Sequence, residues 1–184
     1  MCAATLINVT WKFHISEPDP AWPARYEAAV AELQSLLSMA VAFEHVGSTS
    51  IARMPAVSTI DILAGVLDLR TIDATVVDAL VAAGWEHRPD VEAMIPRRRF
   101  FNRPVGGKFR TTRTHHLHIV ELDSPEWRDP IDFRDFLRHD DRAARRYLEL
   151  KRSLASREYE NPSDYSAQKE EFVNGILLAA RRQR

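Results

Sequence analysis

Residues 45–66 read HVGSTSIARMPAVSTIDILAGV. Gly47-Ser48-Thr49-Ser50 are small and hydroxyl-bearing, which is turn chemistry. Residues 58–66, STIDILAGV, form a nearly continuous β-branched and apolar run, the pattern of a strand covered on both faces. Asp61 sits inside that run, where a carboxylate is costly unless it is hydrogen-bonded, paired or metal-bound. A Gly-Ser turn can present N–H groups and hydroxyls to a phosphate. It is also an ordinary strand-to-helix turn with Ser as N-cap, and taken alone that plain reading is the commoner. The combination is sharper than either part: a phosphate turn with a carboxylate on the next strand can hold a nucleotide with Mg²⁺.

Outward from this stretch, residues 41–46, VAFEHV, read as a short strand ending at Gly47. Upstream, Pro23 suits a first helical turn, and Tyr26, Val30, Leu33, Leu36 and Leu37 recur at helical spacing over 22–38. Residues 5–14 read as a strand or extended arm. Downstream, Ile72, Val76, Val77, Leu80 and Val81 predict a helix over 70–83, with Gly84 at its C′ position. WEHR begins a strand that Pro89 interrupts. RRRFFNRP (97–104) and HHLHIVEL (115–122) flank a Gly-Gly loop and predict a hairpin with a long basic tip. Ser124 and Pro125 start a helix, and helical pattern covers roughly 125–138, then 140–157, then a last segment from Pro162 onward. The order predicts one α/β (α+β) domain over 1–184: a mixed β-sheet with helices packed on it and a helical C-terminal layer.

Composition narrows the partners. The 184 residues carry 25 basic and 26 acidic side chains, a net charge of -1. That balance supplies no overall field for nucleic acid or an anionic membrane. One cysteine, Cys2, makes no internal disulfide. No run approaches the roughly 20 apolar residues that span a bilayer, and the N-terminus lacks the apolar core of a signal peptide. The expectation is a cytoplasmic protein with a small-molecule ligand and no membrane or nucleic-acid partner. Oligomeric state is not legible.

Three further features bear on chemistry. Along residues 115–121, His115, Leu117, Ile119 and Glu121 share one strand face, and His116, His118 and Val120 the other. An H-x-H pair, about 7 Å apart at the backbone, can bind Zn²⁺ or another transition metal if a third ligand joins. Its commoner reading is a pair of hydrogen-bonded or nucleotide-contacting histidines. Arg97, Arg98, Arg99, Arg103, Lys108, Arg110 and Arg113 form a dense basic cluster. They suit either a polyphosphate clamp or a solvated hairpin tip. The charged run 134–158 reads as a solvated helical surface with Phe136, Leu137, Tyr147, Leu150 and Leu154 facing inward, and carries no assigned chemistry.

The chain resembles the GrpB family of the nucleotidyltransferase superfamily. HVGSTSIARM…VSTIDI resembles the family's HIGSTSVPGL…KPIIDI. EPDPAWPARYEAAVAEL, RRFFNRP, THHLHIVE, SPEWRDPIDFRDFLRHDDRAARRYLELKRSLA and DYSAQKEEFVNGIL resemble its other conserved segments, so the likeness spans roughly residues 10–180. The resemblance implies a nucleotidyltransferase-like fold and nucleotide binding or nucleotidyl transfer to an acceptor. Gly47, Ser48, Thr49 and Ser50, with Arg53, His116 and His118, would contact the NTP. Asp61 and Glu121 would hold Mg²⁺, and Arg99 or Arg103 would stabilise developing charge. Three departures stand out. Leu63 takes the place of a second acid, Ile51-Ala52-Arg53 lacks a proline and a glycine, and Val57-Ser58 lacks a lysine. They leave two other readings open. One is a non-catalytic ligand-binding domain beside coenzyme A metabolism, since the family domain also occurs attached to dephospho-CoA kinases. The other is a metal-binding protein using the histidines and a carboxylate.

Overall fold

The computed structural model describes residues 10–106 and 113–183. The chain runs β1 (Trp11–Lys12), α1 (Trp22–Leu36), β2 (Ala42–Val46), β3 (Ile60–Val66), α2 (Ala74–Ala82), β4 (Glu86–His87), α3 (Pro89–Glu92), β5 (Arg98–Arg103), β6 (His115–Glu121), α4 (Pro125–His139), α5 (Asp141–Ala155), β7 (Glu158–Tyr159), α6 (Pro162–Ala167) and α7 (Glu170–Arg182). Single 3-10 turns lie at Ser48–Ser50 and Leu69–Thr71. Among the described residues the main sheet is ordered β2-β3-β6-β5-β4; only the central β3–β6 pair is parallel. A separate ribbon pairs β1 with β7.

Strand parity sorts the sheet into two faces. Ile60, Ile62, Ala64 and Val66 of β3, Leu117 and Ile119 of β6, and Phe101 of β5 point one way. They pack against Trp22, Ala29 and Leu33 of α1 and Leu80 of α2 in the main core. The opposite face carries Asp61, Leu63, His116, His118, Val120, Arg98, Phe100 and Asn102. Trp127 and Ile131 of α4 cover one part of it, over Val46, Leu63 and Val120. The Asp61 end of β3 is left to the Gly47 turn and the C-terminal helices.

Two clamps hold those helices in place. Buried Arg134 of α4 donates to the Glu44 carboxylate and, at 2.9 Å, to the His45 carbonyl of β2. Lys151 of α5 donates at 2.6 Å to the Pro55 carbonyl. Between them, Ile51 and Met54 of the loop after the Gly47 turn pack against Leu137, Ala143 and Tyr147.

The expected mixed sheet with a helical C-terminal layer is present, with local differences. The stretch 48–55, readable in the sequence as either a short helix or a loop, is one 3-10 turn followed by loop. The helix expected over 70–83 begins at Ala74, capped by Asp73, whose carboxylate accepts from the Val76 N–H. A single terminal helix is instead two, parted at Gln168–Lys169. Residues 5–9, Lys108 and Arg110 lie outside the described residues.

Candidate functional site

Asp61 is the second residue of β3, and its carboxylate rests against Gly47. A Cβ at Gly47 would lie 3.1 Å from the Asp61 Cγ and closer still to Oδ2. Gly47 also has φ 71 and ψ -175, a backbone region essentially confined to glycine. The turn and the carboxylate are therefore one unit. The turn's own hydroxyls are divided. Ser50 Oγ donates to the Gly47 carbonyl at 2.6 Å. Thr49 Oγ1 donates its one hydrogen to the Thr59 carbonyl at 3.1 Å, so at 3.0 Å it accepts from His45 Nε2. Burial pushes the His45 imidazole down to about 4, so it stays neutral there. Thr49 and Ser50 brace the turn, while Ser48 lines a cavity with Asp61.

The parallel register sets Asp61 opposite His116 and Leu63 opposite His118. His116 Nδ1 lies 3.0 Å from Asp61 Oδ1, and His118 Nε2 lies 3.9 Å from the same oxygen. Burial works against the charge on Asp61, but the His116 and His118 contacts outweigh it and hold the carboxyl well below the usual range. One ligand atom from each of the three residues lies within 4.8 Å of the others.

The second histidine is tied further. Arg98 Nη1 lies 3.2 Å from His118 Nδ1. Arginine only donates, so Nδ1 accepts and the neutral ring carries its hydrogen on Nε2, toward Asp61. Burial pushes the His118 imidazole down, in keeping with a neutral ring. His116 turns Nδ1 to Asp61 and its Nε2 the other way. That atom is buried and makes no hydrogen bond among the described residues; neither do Asn102 Oδ1 and Nδ2 on the adjacent strand.

Two cavities meet at Asp61. One, about 80 Å³, is polar and lined by Ser48, Val57, Thr59, Asp61, His116, Lys151 and Tyr165. Lys151 is only 2% exposed. Burial, with Lys169 and Arg152 nearby, pushes its ammonium down to about 7. The other cavity, about 460 Å³, opens beside Asp61 and His118 over Val46, Leu63 and Val120.

Several expected site residues lie elsewhere. Glu121 is on the opposite face from His116 and His118, five residues further along β6, or roughly 16 Å from His116 along the strand. Its carboxylate accepts from the Leu69 N–H at 3.1 Å, so it does not join Asp61. Arg99 and Arg103 alternate onto the Phe101 face. Arg103 is held bidentately by Glu32 and lies over the Trp85 ring, while Arg99 faces Glu92 at 3.8 Å. Arg53 is exposed on a separate groove with Arg138 and Arg145.

Two residues beside Asp61 were not singled out by the sequence, although Arg98 stands in the basic cluster. Arg98 shares parity with Phe100 and Asn102, but the hairpin register that reveals this needs the partner strand. Lys151 left a readable signal. Ala143, Tyr147, Lys151 and Leu154 recur at helical spacing and are all buried, which places a lysine in the apolar stripe.

Comparison with known proteins agrees with this fold. The family profile described as GrpB protein matches residues 12–178. The chain is 29% identical over 161 residues to the glutamate-rich protein GrpB of Alkalihalophilus pseudofirmus, covering 85% of this chain and 88% of that one. The crystal structure of the conserved protein GrpB from Enterococcus faecalis superposes with a TM-score of 0.78 at 27% identity, over 92% of this chain and 98% of that chain. A crystal structure of the Cid1 poly(U) polymerase bound to MgATP is similar with a TM-score of 0.50 at 15% identity. It spans 77% of this chain and 44% of the polymerase, and the likeness is one of fold.

Proposed function

The chain belongs to the GrpB family, and on that premise we propose that it binds a phosphorylated nucleotide together with one divalent metal ion at Asp61. The observation carrying this reading is the convergence of Asp61, His116 and His118 on one point beside the Gly47-Ser48 turn. The sequence offered a nucleotide site at Asp61 and a metal site at the histidines as rival readings. In this proposal they are one place.

The donor set shapes the choice of metal. Mg²⁺ takes oxygen ligands and would use only Asp61, leaving both imidazoles without a role. One carboxylate and two imidazoles suit an imidazole-accepting ion, Zn²⁺ or Fe²⁺ ahead of Mn²⁺. Asp61 Oδ1, a His116 ring nitrogen and His118 Nε2 would hold it. When bound, such an ion neutralises phosphate charge and polarises a phosphoryl oxygen. Coordination through His118 Nε2 requires Arg98 to release Nδ1, because the ring hydrogen must move there. Ser48 and the buried Lys151 ammonium would then meet the phosphate oxygens in the polar cavity. Leu63 supports binding of a single cation over a two-metal transferase, which needs further carboxylates.

Thermal denaturation with each NTP, alone and with Mn²⁺, Zn²⁺ or Mg²⁺, tests the reading. At a ligand concentration 100 times Kd the gain is about 2.7 kcal/mol, or roughly 5–10 °C for a chain of this size. Asp61→Asn should abolish it. Absence of a shift with every NTP–metal pair at millimolar concentration would sink the proposal.

A further inference from the structure

Beside Asp61, where a second acid would stand, the site opens into an apolar cleft. Its floor is Val46, Leu63 and Val120, each under 5% exposed. Pro125 and Pro130 of α4 form one wall and Ile95 the other. These apolar residues offer nothing to a phosphate or a second cation, and Asp129, which also lines the cleft, is held by Arg181 at 2.7 Å. It suits a flat hydrophobic surface.

The rim is polar in a specific way. Arg98 comes from the sheet and Glu126 from the first turn of α4. Arg98 Nε and Glu126 Oε2 are buried, yet neither makes a hydrogen bond among the described residues. Glu126 Oε2 has only a long ion-pair contact, 3.8 Å, to the exposed Arg97. Buried polar atoms are almost always hydrogen-bonded. A donor and an acceptor left unmet beside one apolar cleft describe the ligand they would satisfy once Arg98 and Glu126 turn toward it.

We propose that this cleft binds a nucleobase, its ring packed against Ile95, Pro125 and Pro130 with Val46, Leu63 and Val120 beneath, with Glu126 accepting from a base N–H and Arg98 donating to a ring nitrogen or carbonyl. This deepens the nucleotide reading and rests on it. Asp61 lines both cavities, so a ligand spanning them places its phosphates by Ser48 and Lys151 and its base over Leu63. Leu63 thereby acquires a role: it replaces a metal ligand with a floor for the base. A carboxylate acceptor favours bases with N–H groups on their exposed edge. Guanine can give Glu126 two such bonds, adenine and cytosine their amino group, and uracil a single imide N–H.

Calorimetric titration of the whole chain in Mn²⁺ separates the parts, using GTP, ATP, CTP, UTP, inorganic tripolyphosphate and free guanosine. The expected result is at least one NTP binding tenfold or more tighter than tripolyphosphate. Glu126→Gln, a conservative change at a partly exposed helix start, should reduce that advantage to threefold or less while tripolyphosphate binding stays within twofold. Equal affinity of all four NTPs and tripolyphosphate overturns the cleft assignment and leaves the phosphate site standing. If neither class binds, the phosphate site fails. Guanosine then decides the cleft: saturable, Glu126-dependent binding upholds it, and none overturns it.

Discussion

Replacing Gly47 by alanine attacks the joint between turn and carboxylate, and the cost can be worked from the geometry. Two penalties combine. The backbone at φ 71 and ψ -175 is glycine's own region, and holding alanine there costs about 1–3 kcal/mol. The new methyl would also sit within contact distance of the Asp61 carboxylate. Asp61 must then move, giving up the 3.0 Å hydrogen bond from His116. A hydrogen bond to a charged group contributes about 1.5–3 kcal/mol. Gly47→Ala should therefore destabilise the protein by about 2.5–6 kcal/mol, a fall in Tm of roughly 5–24 °C.

A double-mutant cycle isolates the second penalty. In an Asp61→Ala background the methyl meets no carboxylate, so Gly47→Ala should cost only the backbone share, smaller by about 1.5–3 kcal/mol. Gly106 provides a control, since it too has a positive φ, 68, with nothing among the described residues within 4 Å of a Cβ. Urea denaturation of the four members of the cycle and of Gly106→Ala gives all the values. Equal cost of Gly47→Ala in both backgrounds would refute the claim that turn and carboxylate form one unit.

Lys151 predicts a pH signature. Its folded pKa, about 7, lies below the unfolded value of 10.5. Between those values the unfolded chain holds a proton that the folded chain lacks, so this residue makes stability rise with pH. The slope is at most about 1.4 kcal/mol per pH unit. Lys151→Met should remove that rise in urea midpoints measured from pH 7 to pH 10; parallel profiles would contradict it. Arg53 adopts φ 61, at the position where the family motif has glycine. Arg53→Gly should stabilise the protein by about 1 kcal/mol, or roughly 2–4 °C in Tm, and a lower Tm in a thermal scan would count against the strain.

Much of the sheet was legible because period-two alternation is local. HHLHIVE sorts its own residues into two faces before any partner is known. Pro23, Ser124 and Gly84 mark helix ends by chemistry that acts within one turn. The Asp61 strand announced itself by being apolar everywhere but once. Arg98, Arg99 and Arg103 lie in one basic run, and composition does not distinguish their faces. Glu121 is a carboxylate on the strand beside Asp61, but its parity separates it from His116 and His118.

The family, most of the elements and the alternation of each strand were readable in the sequence, since they follow from backbone sterics and short-range spacing. It also carried the buried lysine of α5 in plain view. The tertiary structure alone decided which alternating faces meet. The parallel register of β3 on β6 puts Asp61 beside His116 and sends Glu121 to the far end and the opposite face. The packing of α5 brings Lys151 across 96 residues to the Pro55 carbonyl. Such contacts depend on how strands align and helices dock, which many residues fix jointly through burial and no local motif encodes.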